Sequence, residues 1–391
     1  MTRILLTCGE TSGDHQASLL VREIKLIDPA CEVIALGGTE LADAGANVEY
    51  HIDEFAFMGF SEIIGGLPRI FSLERKLKRL LGSVDLFLPV DYPGFNLRLA
   101  RSACRRGVPV LYFISPQVWA WGGWRIGRMR RSIDLMAVIF PFEKALYDRA
   151  GIPAVFVGHP GVEEIPAPPL PKEYPADGDA FKVLLFPGSR NQEVERMLPT
   201  LLDAARILRK QFSHATFIVG LAPLIETNLV EIPDDLKGVV EISRNGLDLL
   251  TEASLAVAAS GTVTLQCALS GTPMIVLYKT SRATFCIGRR LVTIPWIAMP
   301  NVLAGRKIVP EFLQEKATPE AIASEAIEML GDPERYRGIS SDLLQIRDLL
   351  KGRGLRATAE IALRMASGEG VEDILSEMES NEPGKGAFGE E

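Results

Sequence analysis

Short apolar or β-branched runs alternate along the chain with longer stretches in which apolar residues recur every three or four positions. The short runs, at residues 4–8, 32–36, 85–90, 110–114, 135–139 and 154–157, have the length of buried strands. Helical periodicity predicts helices at 16–26, 73–81, 96–106 and 142–149, with Gly82, Gly107 and Gly151 as stop signals. The same alternation restarts with strands at 182–186, 216–219, 239–242, 255–259 and 274–277, separated by helices at 193–210, 247–253 and 262–269. Such βαβ repetition predicts an α/β chain made of two Rossmann-like, doubly wound domains facing across a cleft.

Between the halves, Pro166, Pro168, Pro169, Pro171 and Pro175 crowd a segment that resists both helix and central strand. The expected boundaries are 1–165 for the first domain, 166–180 for the linker and 181–350 for the second domain. A helix at 351–366 is free to pack back on the first domain. Residues 367–391 turn Gly-, Glu- and Ser-rich, predicting a mostly disordered tail with a short helix near 372–379. The longest charge-free stretch, 253–278, is interrupted by Ser260-Gly261-Thr262 and Ser270-Gly271-Thr272-Pro273, so it reads as strand, loop, helix and strand rather than as a membrane span.

Composition narrows the function. Apolar residues make up 47% and charged residues 24%, as in a folded globular protein, and a net charge of -8 argues against nucleic acid as the main partner. Five scattered cysteines without CxxC spacing exclude a disulfide framework, and they read as small buried apolar residues in a reducing compartment. The four histidines lack metal-site spacing, so neither a metal nor a cofactor is expected.

In parallel sheets ligands bind beyond the carboxyl ends of strands, so the loops there carry the chemistry. Pro187-Gly188-Ser189-Arg190 follows a buried strand and leads into a helix with Glu193 in its first turn. Gly188 permits close backbone approach, Ser189 offers a donor, and the Arg190 fork suits phosphate oxygens; the rival reading is a capped turn with an exposed arginine. Ser260-Gly261-Thr262 opens another helix, whose free amides suit a diphosphate, and Gln266 one turn on can reach a ribose hydroxyl or simply face solvent. Gly9-Glu10-Thr11-Ser12-Gly13-Asp14 is not GxGxxG, and its two carboxylates would repel a pyrophosphate. Glu10, Ser12 and Asp14 instead suit the hydroxyls of an acceptor, unless Ser12 and Asp14 merely cap the next helix. Asp91 ends an apolar strand before Tyr92-Pro93-Gly94, where a partly desolvated carboxylate can act as general base or only order the turn.

Taken together these loops resemble, in order, the lipid A disaccharide synthase family, joined by Met58-Gly59 with Glu62, Ser115 to Trp121, Pro141-Phe142-Glu143, Gly158-His159 and Pro300-Asn301. The resemblance extends over about residues 3 to 350. It implies a GT-B fold and metal-free, inverting transfer of diacylglucosamine from its UDP conjugate to the 6-hydroxyl of 2,3-diacylglucosamine 1-phosphate. It further implies a cytoplasmic enzyme held peripherally on the inner membrane of a Gram-negative cell, and allows a homodimer with exchanged C-terminal parts. Carried over by position, Asp91 is the base, Glu10, Ser12 and Asp14 belong to the acceptor side, and Arg190, Glu193 and Asn301 to the donor side. The family usually has a second acid at Gly94 and Glu at Gln266. The first departure puts more of the chemistry on Asp91, and the second removes charge assistance from a ribose contact.

Acylated substrates need an apolar landing site, and residues 55–71 are strongly apolar before Arg75, Lys76, Lys78 and Arg79, the pattern of a membrane-surface patch. Trp119, Trp121 and Trp124 beside Arg125, Arg128, Arg130 and Arg131 either contribute similarly or form core. The alternatives are another GT-B enzyme using UDP-N-acetylglucosamine, whether transferase or 2-epimerase, and a non-catalytic two-domain ligand-binding protein.

Overall fold

The computed structural model describes residues 1–53, 63–166, 168, 171–175, 178–223, 225–226, 229–292 and 294–380. They form two compact units, one built from Met1–Pro160 with Leu350–Glu391, the other from Gly161–Leu349.

The first unit carries β1 (Arg3–Thr7), β2 (Glu32–Gly37), β3 (Asn47–His51), β4 (Leu86–Pro89), β5 (Leu111–Phe113), β6 (Leu135–Val138) and β7 (Ala154–Phe156). Four pair in the order β3-β2-β1-β4 and three in the order β5-β6-β7; parallel bridges Phe87 to Val110 and Val90 to Phe113 bring β4 beside β5. All registered pairs are parallel, so helices must cover both faces, and the central strands are accordingly apolar throughout: Ile4, Leu5, Leu6, Leu86, Phe87 and Leu88 are fully buried. β3, an edge strand with no fully buried residue and no apolar run, escapes a reading based on hydrophobicity.

The last part of the chain completes this unit. Helix Gly354–Ala366 packs on helix Thr11–Ile27, and the crossing is tied by His159 N–H to the Leu350 carbonyl at 3.0 Å and Gly354 N–H to the Val157 carbonyl at 2.8 Å. A Cβ on Gly158 would lie 2.5 Å from the Gly352 nitrogen, and one on Gly352 would lie 2.2 Å from the Gly158 nitrogen, so the two backbones meet where no side chain fits. Beyond it, the short helix expected near 372–379 is present as Val371–Ser380. Ile374 is fully buried, Arg353 donates to the Met378 carbonyl, and Arg364 pairs with Glu369 and Glu377.

The second unit holds β8 (Phe181–Phe186), β9 (Ala215–Gly220), β10 (Val240–Ser243), β11 (Leu255–Ala259), β12 (Met274–Tyr278) and β13 (Glu311–Leu313) in the parallel order β10-β9-β8-β11-β12-β13. The charge-free 253–278 stretch is buried β11, helix Thr262–Leu269 and buried β12. Among the described residues no helix is long and apolar enough to cross a membrane. Residues 247–253 form only a short 3-10 turn, Asp248–Thr251, because one turn with the single buried Leu250 cannot pay the entropy of a longer helix. Of the cysteines, Cys8, Cys31 and Cys267 are buried, whereas Cys104 and Cys286 are exposed, contrary to the expectation for all five.

Candidate functional site

In the first unit the strand order reverses between β1 and β4, and a doubly wound sheet opens a crevice at the carboxyl edge of such a pair. Glu10 leaves β1 there and Asp91 leaves β4. Asp91 (φ 45°) and Tyr92 (φ 49°) are both left-handed, and Ile114 (φ 60°) repeats the feature at the end of neighbouring β5. For Tyr and Ile this is costly, about 1–3 kcal/mol each, and persists only where surroundings enforce it.

The enforcing contacts are visible. The Asp91 N–H donates to the Phe113 carbonyl (3.1 Å), and its own carbonyl accepts from Asn96 Nδ2 (2.7 Å) and the Tyr112 hydroxyl (2.6 Å). Asn96 is fully buried and also accepts from the Thr7 hydroxyl at 2.7 Å, pinning the ends of β1 and β4 to one side chain. The Tyr92 ring lies over Gly9, where a Cβ would sit 2.1 Å from it. Asp91 is exposed as a residue, yet protein atoms crowd its carboxyl group. Desolvation raises its pKa to about 6, helped by the charge of Glu10 and opposed by a backbone hydrogen bond at Tyr92.

Glu10 and Ser12 are exposed at this edge, whereas Asp14 is buried and turned inward. Asp14 Oδ1 accepts the Gly38 N–H at 2.5 Å and Oδ2 the Glu40 N–H at 3.1 Å, so it braces the first helix against the loop after β2. Desolvation is the main cause raising its pKa, those amides opposing. Each carboxylate oxygen already holds a backbone amide, so Asp14 positions the acceptor-side loop.

One residue given no role from sequence is prominent here. Glu143 is 1% exposed; its Oε1 accepts from the Ser115 hydroxyl (2.7 Å) and Trp119 Nε1 (2.9 Å), and its Oε2 accepts from the Phe140 N–H (3.2 Å). Burial pushes its pKa up to about 7 against those hydrogen bonds. It anchors the 115–121 loop that leaves β5. The position of Pro141 before Glu143, at a helix start, was the available signal, and the partners across the loop were not. The tryptophans divide: Trp119 is half-buried, edge-on to Phe140 and Phe142, while Trp121 and Trp124 are exposed.

In the second unit the order reverses between β8 and β11, and the two glycine-containing loops follow those strands. They are not equivalent. After β8, Gly188 has φ 117° and a Cβ there would lie 2.6 Å from Glu193 Oε2, which accepts the Ser189 N–H at 3.0 Å. The Glu193 carboxylate, 3.6 Å from Arg190, therefore already occupies the start of helix Asn191–Gln211. After β11, the amides of Gly261, Thr262 and Val263 have no acceptor among the described residues, while Thr264 Oγ1 donates to the Gly261 carbonyl at 2.8 Å. The 261–263 end is thus the open anion cradle. Gln266 is half-buried on the same helix.

Asn301 is fully buried with every hydrogen-bonding position used. Its Nδ2 donates to the Val309 carbonyl (2.9 Å) and Glu311 Oε1 (2.8 Å), and its Oδ1 accepts from the amides of Ile308 (2.7 Å) and Val309 (2.9 Å). It has no capacity left for a donor substrate, so the expected direct contact is corrected to a positioning one. Glu311 also accepts from the Ile297 and Ala298 amides, and Ser260 Oγ donates to the Ile297 carbonyl at 2.8 Å. One polar chain thus runs from Asn301 to the open loop after β11. Residues 55–60, with Met58, Gly59 and Glu62, lie outside the described residues.

The sequence matches the lipid-A-disaccharide synthetase family over residues 4–365. The lipid-A-disaccharide synthase of Syntrophus aciditrophicus (strain SB) is 39% identical over 373 residues, covering 93% of this chain and 96% of that protein. That of Trichlorobacter lovleyi is 38% identical over 373 residues, covering 93% and 97%. Among solved structures, the kitacinnamycin glycotransferase aligns with a TM-score of 0.64 at 15% identity, covering 93% of this chain and 99% of that one. MurG of Acinetobacter baumannii aligns with a TM-score of 0.56 at 14% identity, covering 93% and 100%. At such identities the structures speak for the fold alone, a GT-B pair of Rossmann-like domains, whereas the sequence matches run through both units. The chain belongs to the lipid-A-disaccharide synthase family and is a GT-B glycosyltransferase of lipid A biosynthesis.

Proposed function

We propose that the protein transfers diacylglucosamine from UDP-2,3-diacylglucosamine to the 6-hydroxyl of 2,3-diacylglucosamine 1-phosphate with inversion, releasing UDP. The observation that carries the chemistry is Asp91, a carboxylate with its pKa raised to about 6 on a strained strand end at the switch point. A base of that pKa is ionised at neutral pH yet basic enough to accept a hydroxyl proton as the oxygen attacks. The oxygen bonds to the anomeric carbon, the bond from that carbon to the diphosphate oxygen breaks, and the electron pair leaves with UDP. The open amides of Gly261, Thr262 and Val263 offset the charge that develops on the departing diphosphate. Arg190 supports the same oxygens, while Gln266 and Glu193 are suited to ribose hydroxyls. Glu10 and Ser12 hold the acceptor's hydroxyls.

The assay offers the full-length protein the phosphorylated acceptor with either UDP-2,3-diacylglucosamine or UDP-N-acetylglucosamine. Transfer from the acylated donor is expected. Turnover of the unacylated donor alone would overturn this reading in favour of another GT-B activity.

Acylated substrates place the enzyme at a lipid surface, and residues 55–71 lead into a suitable element. On helix Ile63–Leu80, Leu73 and Leu77 are buried in the core, whereas Phe71, Arg75, Lys76 and Arg79 are exposed. Flotation with anionic vesicles is expected to capture the protein and to weaken as salt rises; neutral and anionic vesicles binding alike would remove the basic face from the account.

A further inference from the structure

The loop leaving β5 carries a group that the transfer chemistry above does not use. Arg125 stacks on two exposed indoles, its guanidinium carbon 4.3 Å from the Trp121 ring centroid and 5.2 Å from that of Trp124. The guanidinium carbon of Arg128 also sits over the Trp124 ring, 5.2 Å from its centroid. The two tryptophans are 45% and 66% exposed, among the largest apolar surfaces the first unit leaves in water.

A guanidinium held over an aromatic face keeps its in-plane N–H groups as hydrogen-bond donors. Some arginines of the chain are committed to carboxylates within it: Arg206 to Asp203 and Asp235, Arg335 to Glu325, Arg364 to Glu369 and Glu377. Among the described residues, neither Arg125 nor Arg128 has one. Both arginines thus bring positive charge to the Trp124 ring without an internal carboxylate to neutralise it, which suits an anion.

The mount is rigid. Glu143 holds Ser115 and Trp119 at the root of the loop, and Gly122 (φ 82°) makes the turn into Gly123–Arg125. The position is also relevant: β5 lies beside β4, so this loop and Asp91 leave adjacent strands at the same carboxyl edge. The Tyr112 hydroxyl, from β5 itself, donates to the Asp91 carbonyl and ties the two strand ends together.

From this juxtaposition we infer that Arg125, clamped by Trp121 and Trp124 and assisted by Arg128, binds the phosphate monoester of the acceptor and thereby selects a phosphorylated acceptor over an unphosphorylated one. The inference rests on the acceptor proposed above. Anionic phosphate oxygens are also present in lipid headgroups, but a loop beside the candidate base commits this pair to the substrate.

The test uses full-length protein in neutral detergent micelles, with 2,3-diacylglucosamine 1-phosphate and the same amphiphile lacking phosphate. Binding is read from tryptophan fluorescence and transfer from UDP release, so a failure of transfer and a failure of phosphate recognition are separate results. R125A is expected to raise the Kd and KM for the phosphorylated acceptor roughly tenfold to a hundredfold, the range of a lost charge-assisted contact. The preference over the unphosphorylated acceptor should shrink by the same factor, with kcat and donor KM changed less than about threefold. R125K should recover part of the loss, and R128A should show a smaller one. Equal weakening toward both amphiphiles, or an unchanged Kd, would overturn the inference. So would loss of binding to anionic vesicles with acceptor Kd intact, which assigns the patch to headgroups.

Discussion

Asp91→Asn is expected to lower kcat by roughly a hundredfold or more while UDP still raises thermal stability as in the parent protein. The amide cannot accept the hydroxyl proton, and asparagine tolerates the left-handed backbone that Asp91 adopts at φ 45°. The pH dependence fixes the sign. With a pKa of about 6, the base is ionised above that value, so kcat/KM of the parent should fall as pH drops through about 6, and the variant should lose that limb. Stability runs the opposite way. A folded pKa above the usual carboxylate value means the fold disfavours the ionised form, a cost that develops as pH rises from the unfolded pKa through about 6. The variant should therefore be no less stable at neutral pH, which separates a chemical defect from misfolding. Near-parental turnover would eliminate Asp91 as base.

Asn301→Ala is expected to lose about 3 kcal/mol or more, since the Ile308 and Val309 amides and the Val309 carbonyl are left buried without their partner. Differential scanning calorimetry should show the second unit's melting temperature falling by roughly 5–10 °C. Activity should fall with it, because the Glu311 carboxylate that holds Ile297 and Ala298 loses its own support beneath the Ser260 loop. If melting is unchanged and only donor KM rises, Asn301 contacts the donor directly and the positioning role is wrong.

The central strands were legible in the sequence because parallel strands buried on both faces are continuous apolar runs: β1, β4, β8, β11 and β12 all announce themselves this way. β3 and β13 do not, since edge strands are short and half-exposed and carry no such run. The loops after the strands were legible as places where chemistry belongs, but not the division of labour within them. Asp14 and Asn301 look like ligands in one dimension. Only the amides of Gly38, Glu40, Ile308 and Val309, brought from distant positions, show that their polar atoms are already engaged. Glu143 is the converse case, an ordinary helix-start acid until Ser115 and Trp119 are seen on it. The Pro187 to Arg190 loop changed most: its glycine is required, but the Glu193 carboxylate holds the Ser189 amide at the helix start, and the weaker-looking Ser260-Gly261-Thr262 motif has the open amides.

The seam at Gly158 and Gly352 has a consequence for how the protein is made. The second unit, Gly161–Leu349, is continuous, whereas the first unit needs residues from both before and after it. As the chain leaves the ribosome amino end first, the β1 to β7 sheet emerges long before helix Gly354–Ala366, which covers helix Thr11–Ile27. The second unit can therefore finish folding while the first still exposes an apolar helix face. The half that carries Asp91 is the one that waits longest for its cover, and a chain stopped at Leu349 would lack part of a core rather than a tail.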